Sequence, residues 1–294
     1  MKKFFIFLFL LSSLHATGLD FLNQDIGARY GAMGGIGTVN SNDAFALYWN
    51  PANVKAVEKL QVGLSQGQWY QGDPHLFAGV IFPVKSWYVG VSVNYSQVED
   101  IPVRKIPQID PDGKTEWEDW YIGISLMKRF SDKLSAGITY KKIYQHIYNE
   151  ESSGYGLDFG LNYQLSPKLN IAAAIKNMGS MNELDDVETE LPLSYEIGGS
   201  MNQILQLGEG HLNAGIVGQF VQNAPDDVTM FKTGLEYEYQ KMFFLRAGYI
   251  SGNDLLNYSF GLGIKKGVFK FDYAWKNSDE AFDDVHLFSF HFLF

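Results

Sequence analysis

Cysteine is absent from the 294 residues, which removes disulfides, thiolate zinc sites and cysteine nucleophiles together. Charged residues are sparse, at 19%, and tilted to one sign: 33 Asp and Glu stand against 23 Lys and Arg, for a net charge of −10. No sustained basic stretch exists to neutralise phosphates, so nucleic acid is excluded as an expected partner. Long apolar runs are missing as well. Beyond the N-terminus nothing approaches the roughly 20 apolar residues that a membrane-crossing helix needs, and a helical-bundle membrane protein is excluded. The histidines, His15, His75, His146, His211, His286 and His291, show no His-Glu-x-x-His or other ligand spacing. No catalytic residue, metal ligand or cofactor is assigned. A closed barrel brings distant residues together, so spacing leaves a Ser/His hydrolase open as an alternative to the non-enzymatic reading taken here.

What the chain does have is apolar and aromatic mass: 46% hydrophobic and 15% aromatic residues, with 17 Tyr, 22 Phe and 30 Gly. A disordered chain has neither. Lys2 and Lys3 precede an apolar run from Phe4 to Leu11, followed by Ser12, Ser13 and Ala16. A charged start, a short greasy stretch and small residues predict an export signal over 1–16, cut after Ala16.

From residue 59 to 294 apolar and polar or small residues alternate over stretches of about ten positions separated by turn residues, the period of a strand with two different faces. Leu157, Phe159, Leu161 and Tyr163 alternate with Asp158, Gly160, Asn162 and Gln164; Phe269, Phe271, Tyr273 and Trp275 alternate with Lys270, Asp272, Ala274 and Lys276. About fourteen such segments suit an all-β, up-and-down antiparallel transmembrane barrel with roughly 9–11 membrane-crossing residues per strand. A soluble β-sandwich usually has fewer and shorter strands. Connections near 84–86, 131–132, 166–167, 205–209, 240 and 266 are short. The alternate set includes the long stretches 98–117, 148–153, 178–191, 223–227 and 277–283. Short periplasmic turns opposite longer external loops are the outer-membrane arrangement, and the acidic residues Glu183, Asp185, Asp186, Glu188, Glu190, Asp279, Glu280, Asp283 and Asp284 gather in the long set. Asp110-Pro111-Asp112-Gly113 reads as an ordinary turn, because the later positions of a calcium loop are not met.

On the polar parity of their strands, Lys232, Glu236, Arg246, Lys270 and Asp272 are expected to face the lumen, with Lys141, Asp158, Glu196 and Glu238. Tyr and Trp near strand ends, including Trp69, Trp87, Trp117, Trp120, Tyr121 and Trp275, are expected in interfacial girdles. Phe288, Phe290, Phe292 and Phe294 share one face of a strand at the end of the sequence, and are read as an insertion signal for the barrel-assembly machinery.

Residues 17–58 do not alternate. Gly27, Gly31, Gly34, Gly35 and Gly37 imply tight backbone packing; Asn42 or Asp43 offers a cap for a short helix that Pro51 ends near Trp49. The glycines do not meet the dinucleotide-binding spacing, and no βαβ unit follows. A plug or hatch inside the lumen is the reading taken.

Gly27-Ala28-Arg29, Met33-Gly34-Gly35, Asp43-Ala44, Ala46 and Trp49-Asn50-Pro51-Ala52 resemble the PorV/PorQ family, relatives of the FadL-type fourteen-stranded barrels. Asn53-Val54 departs from the Gly-Leu that often follows in the family. The resemblance implies an outer-membrane barrel that assists protein secretion or surface presentation with the type IX apparatus. Its partners would be outer-membrane lipid, the insertion machinery, and secretion-system subunits or exported proteins. The FadL side of the resemblance implies the alternative, passage of hydrophobic small molecules such as fatty acids. A purely structural barrel is the third expectation.

Overall fold

The protein is described from a computed structural model covering residues 19–54, 58–69, 74–104, 110–184, 187, 189–222, 227–253, 255–278 and 283–294. The expected export signal lies outside the described residues, as do the loop acids Asp185, Asp186, Glu188, Asp279 and Glu280.

Fourteen strands form one closed antiparallel barrel, each paired with its chain neighbours. They are β1 (Gln61–Gln68), β2 (Pro74–Val84), β3 (Trp87–Val103), β4 (Gly113–Arg129), β5 (Leu134–Ile147), β6 (Glu150–Gln164) and β7 (Leu169–Met181), then β8 (Leu193–Leu207), β9 (Gly210–Gln222), β10 (Val228–Tyr239), β11 (Phe243–Ser251), β12 (Leu256–Lys266), β13 (Phe269–Ser278) and β14 (Val285–Leu293). Closure runs through β1 and β14, in register from Gln61 opposite Leu293 to Gln68 opposite His286. Closure removes the sheet edges whose backbone groups would otherwise go unpaired in lipid.

Alternation sorts the two faces. Ile124, Ile197, Ile216, Leu245, Phe260 and Leu262 are exposed on the outside, Ile197 most of all at 64%. Their neighbours in sequence, Ser125, Glu196, Val217, Arg246, Gly261 and Gly263, point the other way. An apolar exterior over a partly charged interior is inverted for a water-soluble fold and right for one solvated by lipid.

Two connections differ from expectation. Most of 98–117 is not loop: β3 and β4 continue their ladder to Val103 and Gly113 past a register shift between Val98 and Ile101, where Asp100 takes a positive φ of 61°. The bulge absorbs the break in alternation at Glu99 and Asp100 that made the segment look irregular. Likewise 148–153 shrinks to a tight turn in which Tyr148 has φ 61°, and β6 already begins at Glu150. Asp110 and Asp112 lie just before β4, where the Asp112 N–H donates to Val103 O at 2.8 Å.

Ahead of the barrel the chain forms a 3-10 turn (Asp20–Leu22) and three single-turn helices, α1 (Ala28–Gly31), α2 (Gly37–Asn40) and α3 (Ala46–Trp49). They sit within the barrel, where Leu22, Tyr30, Met33, Phe45, Leu47 and Trp49 are all buried.

Candidate functional site: the plug and the lumen wall

Helices of four residues leave most of their backbone donors unsatisfied, and the barrel wall supplies the acceptors. Gly27 N–H donates to Ser65 Oγ at 3.0 Å, Ala28 N–H to Ser289 Oγ at 3.1 Å and Gly34 N–H to Ser259 Oγ at 3.1 Å. Asp43 Oδ1 accepts the Phe45 N–H at 3.0 Å and opens α3. Asn50 turns extended, with φ −164° and ψ 107°, the conformation that the following proline imposes.

The Asn50-Pro51-Ala52 element is fastened to the wall. Asn50 Nδ2 donates to Thr38 O at 3.0 Å within the plug, and lies 3.4 and 3.3 Å from Leu161 O and Ala173 O on β6 and β7. Its Oδ1 accepts the Ala52 N–H at 2.9 Å. Ser135 Oγ donates to Ala52 O at 2.6 Å, and Asn162 Nδ2 to Asn53 Oδ1 at 2.5 Å. The wall is glycine at these contacts. A Cβ on Gly160 would fall on Asn50 Oδ1, and one on Gly137 on the Pro51 carbonyl. Gly34 repeats the pattern from the plug side: its φ is +70°, and a Cβ there would meet Thr233 O at 2.9 Å. Gly137 and Gly160, on the polar parity of β5 and β6, therefore leave room for the plug, a signal that the sequence reading did not use.

The expected lumen-facing charges other than the half-buried Glu238 are buried, and several come together with the plug. Arg29 Nη2 and Nε contact Glu236 Oε1 and Oε2 at 2.9 and 3.0 Å. Glu236 Oε2 also receives Arg246 Nε at 2.7 Å, and Arg246 Nη1 pairs with Asp272 Oδ1 at 2.8 Å. Asp272 in turn lies 3.5 Å from Lys270 Nζ and 3.6 Å from His291 Nε2, whose Nδ1 is 3.2 Å from Asp43 Oδ2. Tyr30 donates its hydroxyl hydrogen to the same Asp43 oxygen at 2.6 Å. The result is a ring running from the plug through β10, β11, β13 and β14 and back to the plug. Three further buried pairs lie outside it: Lys276 with Asp25, Lys176 Nζ with Glu196 Oε1 at 2.7 Å, and Lys141 Nζ with Asp158 Oδ2 at 2.7 Å. Thr38 adds a hydrogen bond to Glu196. Pairing is what allows these charges to leave water.

On the side of β2, β4 and β5 an apolar cluster fills the space between plug and wall, among buried polar residues that include Lys141 and Asp119. Phe21, Phe45, Leu47, Tyr48 and Trp49 pack with Phe77, Ile81, Tyr121, Met127 and Ile143 of β2, β4 and β5. Ring centroids lie 5.6 Å apart for Phe45 and Phe77 and 6.2 Å for Phe21 and Tyr121. Lys176 Nζ stands 5.0 Å over the Tyr48 ring and 5.2 Å over Trp49, at the seam between the two sectors. Three residues expected in the interfacial girdles belong inside instead: Tyr121 is fully buried, Trp69 is 5% exposed, and Trp69 and Trp117 line an interior cavity. Proximity to a strand end does not decide the face; parity does. Trp120 stacks on Tyr144 at 5.1 Å and Trp275 on Phe260 at 6.0 Å. Phe290 and Phe294 are exposed, and Phe288 and Phe292 half-buried, on the outer face of β14 or just beyond it.

At the short-turn end, two cavities of 350 and 580 Å³ share Arg29, Asn42 and Glu236 in their linings. At the long-loop end a cavity of 160 Å³ lies between Phe21 and β3–β4. Among the described residues no cluster of His, Asp and Glu has metal-binding geometry.

These features define a class: a closed fourteen-stranded barrel whose bore is filled by its own N-terminal segment. No protein-family model matches the chain, and no curated protein matches it. Solved structures do. The toluene transporter TbuX of Ralstonia pickettii superposes with a TM-score of 0.68 at 13% identity, over 92% of this chain and 98% of that one. The CymD monoaromatic hydrocarbon channel gives 0.69 at 14%, over 95% and 99%. A Pseudomonas aeruginosa FadL homologue gives 0.53 at 11%, over 92% and 99%. The shared feature is the fold, the FadL-like barrel.

Proposed function

We propose that the protein is an outer-membrane channel for small hydrophobic molecules, gated by the N-terminal plug. The observation that carries this reading is the division of the lumen. Phe21, Phe45 and Tyr48 meet Phe77, Ile81 and Tyr121 in an apolar cluster, while the contacts of Arg29 with Glu236 and of Asp43 with His291 hold the plug from the opposite wall. A small apolar solute is solvated by the first sector and excluded by the second. Displacing a few plug side chains from β2–β5 opens a greasy path without breaking the ring. The likeness in fold to barrels named as toluene and monoaromatic hydrocarbon channels supports the same reading over assistance to secretion.

The PorV/PorQ resemblance rests on Gly27 to Ala52. Here those residues fasten plug to wall through Arg29, Gly34, Asp43 and Asn50, a task common to any plugged barrel, so they do not by themselves specify a secretion role. Outer-membrane lipid and the barrel-assembly machinery are the expected partners, reached after export by the signal over 1–16.

The test is uptake. Cells of an outer-membrane host expressing the protein should accumulate labelled toluene or oleate faster than cells with an empty vector. Equal rates, together with near-stoichiometric exported proteins co-purifying from the native host, would return the assignment to secretion.

A further inference from the structure

Among the described residues the lumen has one buried acid that breaks the pairing rule. Asp25, Asp43, Asp158, Glu196, Glu236 and Asp272 each have a basic side chain within ion-pair distance. Asp119 on β4 has none among the described residues. It is 2% exposed; the side chains of Trp117 and Gln145 hydrogen-bond its carboxyl group, and its Oδ1 accepts no hydrogen bond among the described residues.

Asp119 faces the 160 Å³ cavity at the long-loop end, whose walls include Phe21, Trp69 and Trp117 and whose second carboxylate is Asp20. Among the described residues no Lys, Arg or His is in the lining. Lys276 lies 5.6 Å from the centre of the Trp69 ring but is engaged by Asp25. Burial raises the Asp20 carboxyl above its ordinary range. Aromatic faces attract cations, most strongly where water is excluded, and a buried carboxylate gains from any cation that reaches it.

We propose that this cavity binds an organic ammonium ion carrying a compact aromatic or alkyl body. The ammonium donates to Asp119 Oδ1 with Asp20 as second counter-charge, and the body lies against Phe21, Trp69 and Trp117. A metal cation fits the carboxylates but leaves the aromatic walls unused. A neutral hydrocarbon fits the walls but leaves Asp119 without a counter-charge. The proposal deepens the transport reading, since it names a substrate class met at the outer end of the apolar sector; binding itself does not require transport.

The test uses the full-length barrel in uncharged detergent at pH 7, with phenethylammonium and its neutral carbon isostere propylbenzene as probes, followed by tryptophan fluorescence and calorimetry. The ammonium is expected to bind about tenfold or more tighter than propylbenzene. Asp119→Asn should abolish that preference while the barrel still migrates differently boiled and unboiled. Trp117→Leu should weaken ammonium binding in an equally intact barrel. Equal affinity for the two probes, no binding of either, or unchanged ammonium affinity in Asp119→Asn overturns the site. Toluene uptake by cells carrying Asp119→Asn separates the two claims: a failed site with uptake retained leaves the transport reading standing, and a lack of uptake by the wild type sinks that reading without touching the binding result.

Discussion

Arg29 of the plug and Glu236 of β10 stand 207 positions apart in sequence and meet through two contacts, at 3.0 and 2.9 Å. Glu236 receives a second guanidinium from Arg246 at 2.7 Å. One buried carboxylate thus ties the mobile element of the proposed channel to its fixed wall.

Replacing Arg29 by Ala should loosen the plug and leave the barrel intact. Removing one member of a buried pair typically costs about 3–5 kcal/mol, and Arg246 offsets part of that here. Planar-bilayer recordings should show more frequent or larger openings than wild type. An unchanged conductance would mean that this pair does not hold the plug closed.

Gly160→Val should act at the same element by a different route. Its Cβ falls on Asn50 Oδ1, so the Asn50-Pro51-Ala52 segment must leave the wall. Proteolysis within 50–58 should accelerate, while Asn50→Ala, which only removes the side-chain bonds, should have a smaller effect of about 1–3 kcal/mol.

Ile197→Arg tests the membrane directly. Ile197 is 64% exposed on the outer face, where a soluble protein would tolerate the change within about 0.5 kcal/mol. Near a bilayer midplane Arg costs about 2–4 kcal/mol. Urea unfolding of the barrel in lipid vesicles should show the larger figure, and the smaller one would contradict lipid contact at this position.

Deleting Phe294 should lower the amount of heat-modifiable barrel in the outer membrane without changing its stability once folded. Phe294 is 54% exposed and its N–H bonds only Leu60 O, at 3.2 Å. Quantitative gels of membrane fractions check the first effect and urea titration the second.

The strands were legible because each carries its own period. β9 and β10 begin and end at the residues where alternation starts and stops, Gly210 to Gln222 and Val228 to Tyr239. Legibility failed where a local device hid the ladder. The positive φ of Asp100 lets β3 continue through a stretch whose parity is broken, and the same device at Tyr148 shortens the β5–β6 connection. Girdle residues were misplaced for a related reason: Trp69 and Tyr121 have the composition of an interface, and their inward direction emerges only from register.

The sequence alone determined the barrel, the number of its strands, the inward face of Lys232, Glu236, Arg246, Lys270 and Asp272, and a non-alternating segment ahead of them, because period and parity are local properties. Only the tertiary structure decided that Arg29 meets Glu236, that Asn50 fits against Gly160, and that Asp119 stands without a basic partner among the described residues. Those relations depend on which strands closure places around which turn of the plug, and pairings between residues more than a hundred positions apart leave no mark on the local pattern of a single chain.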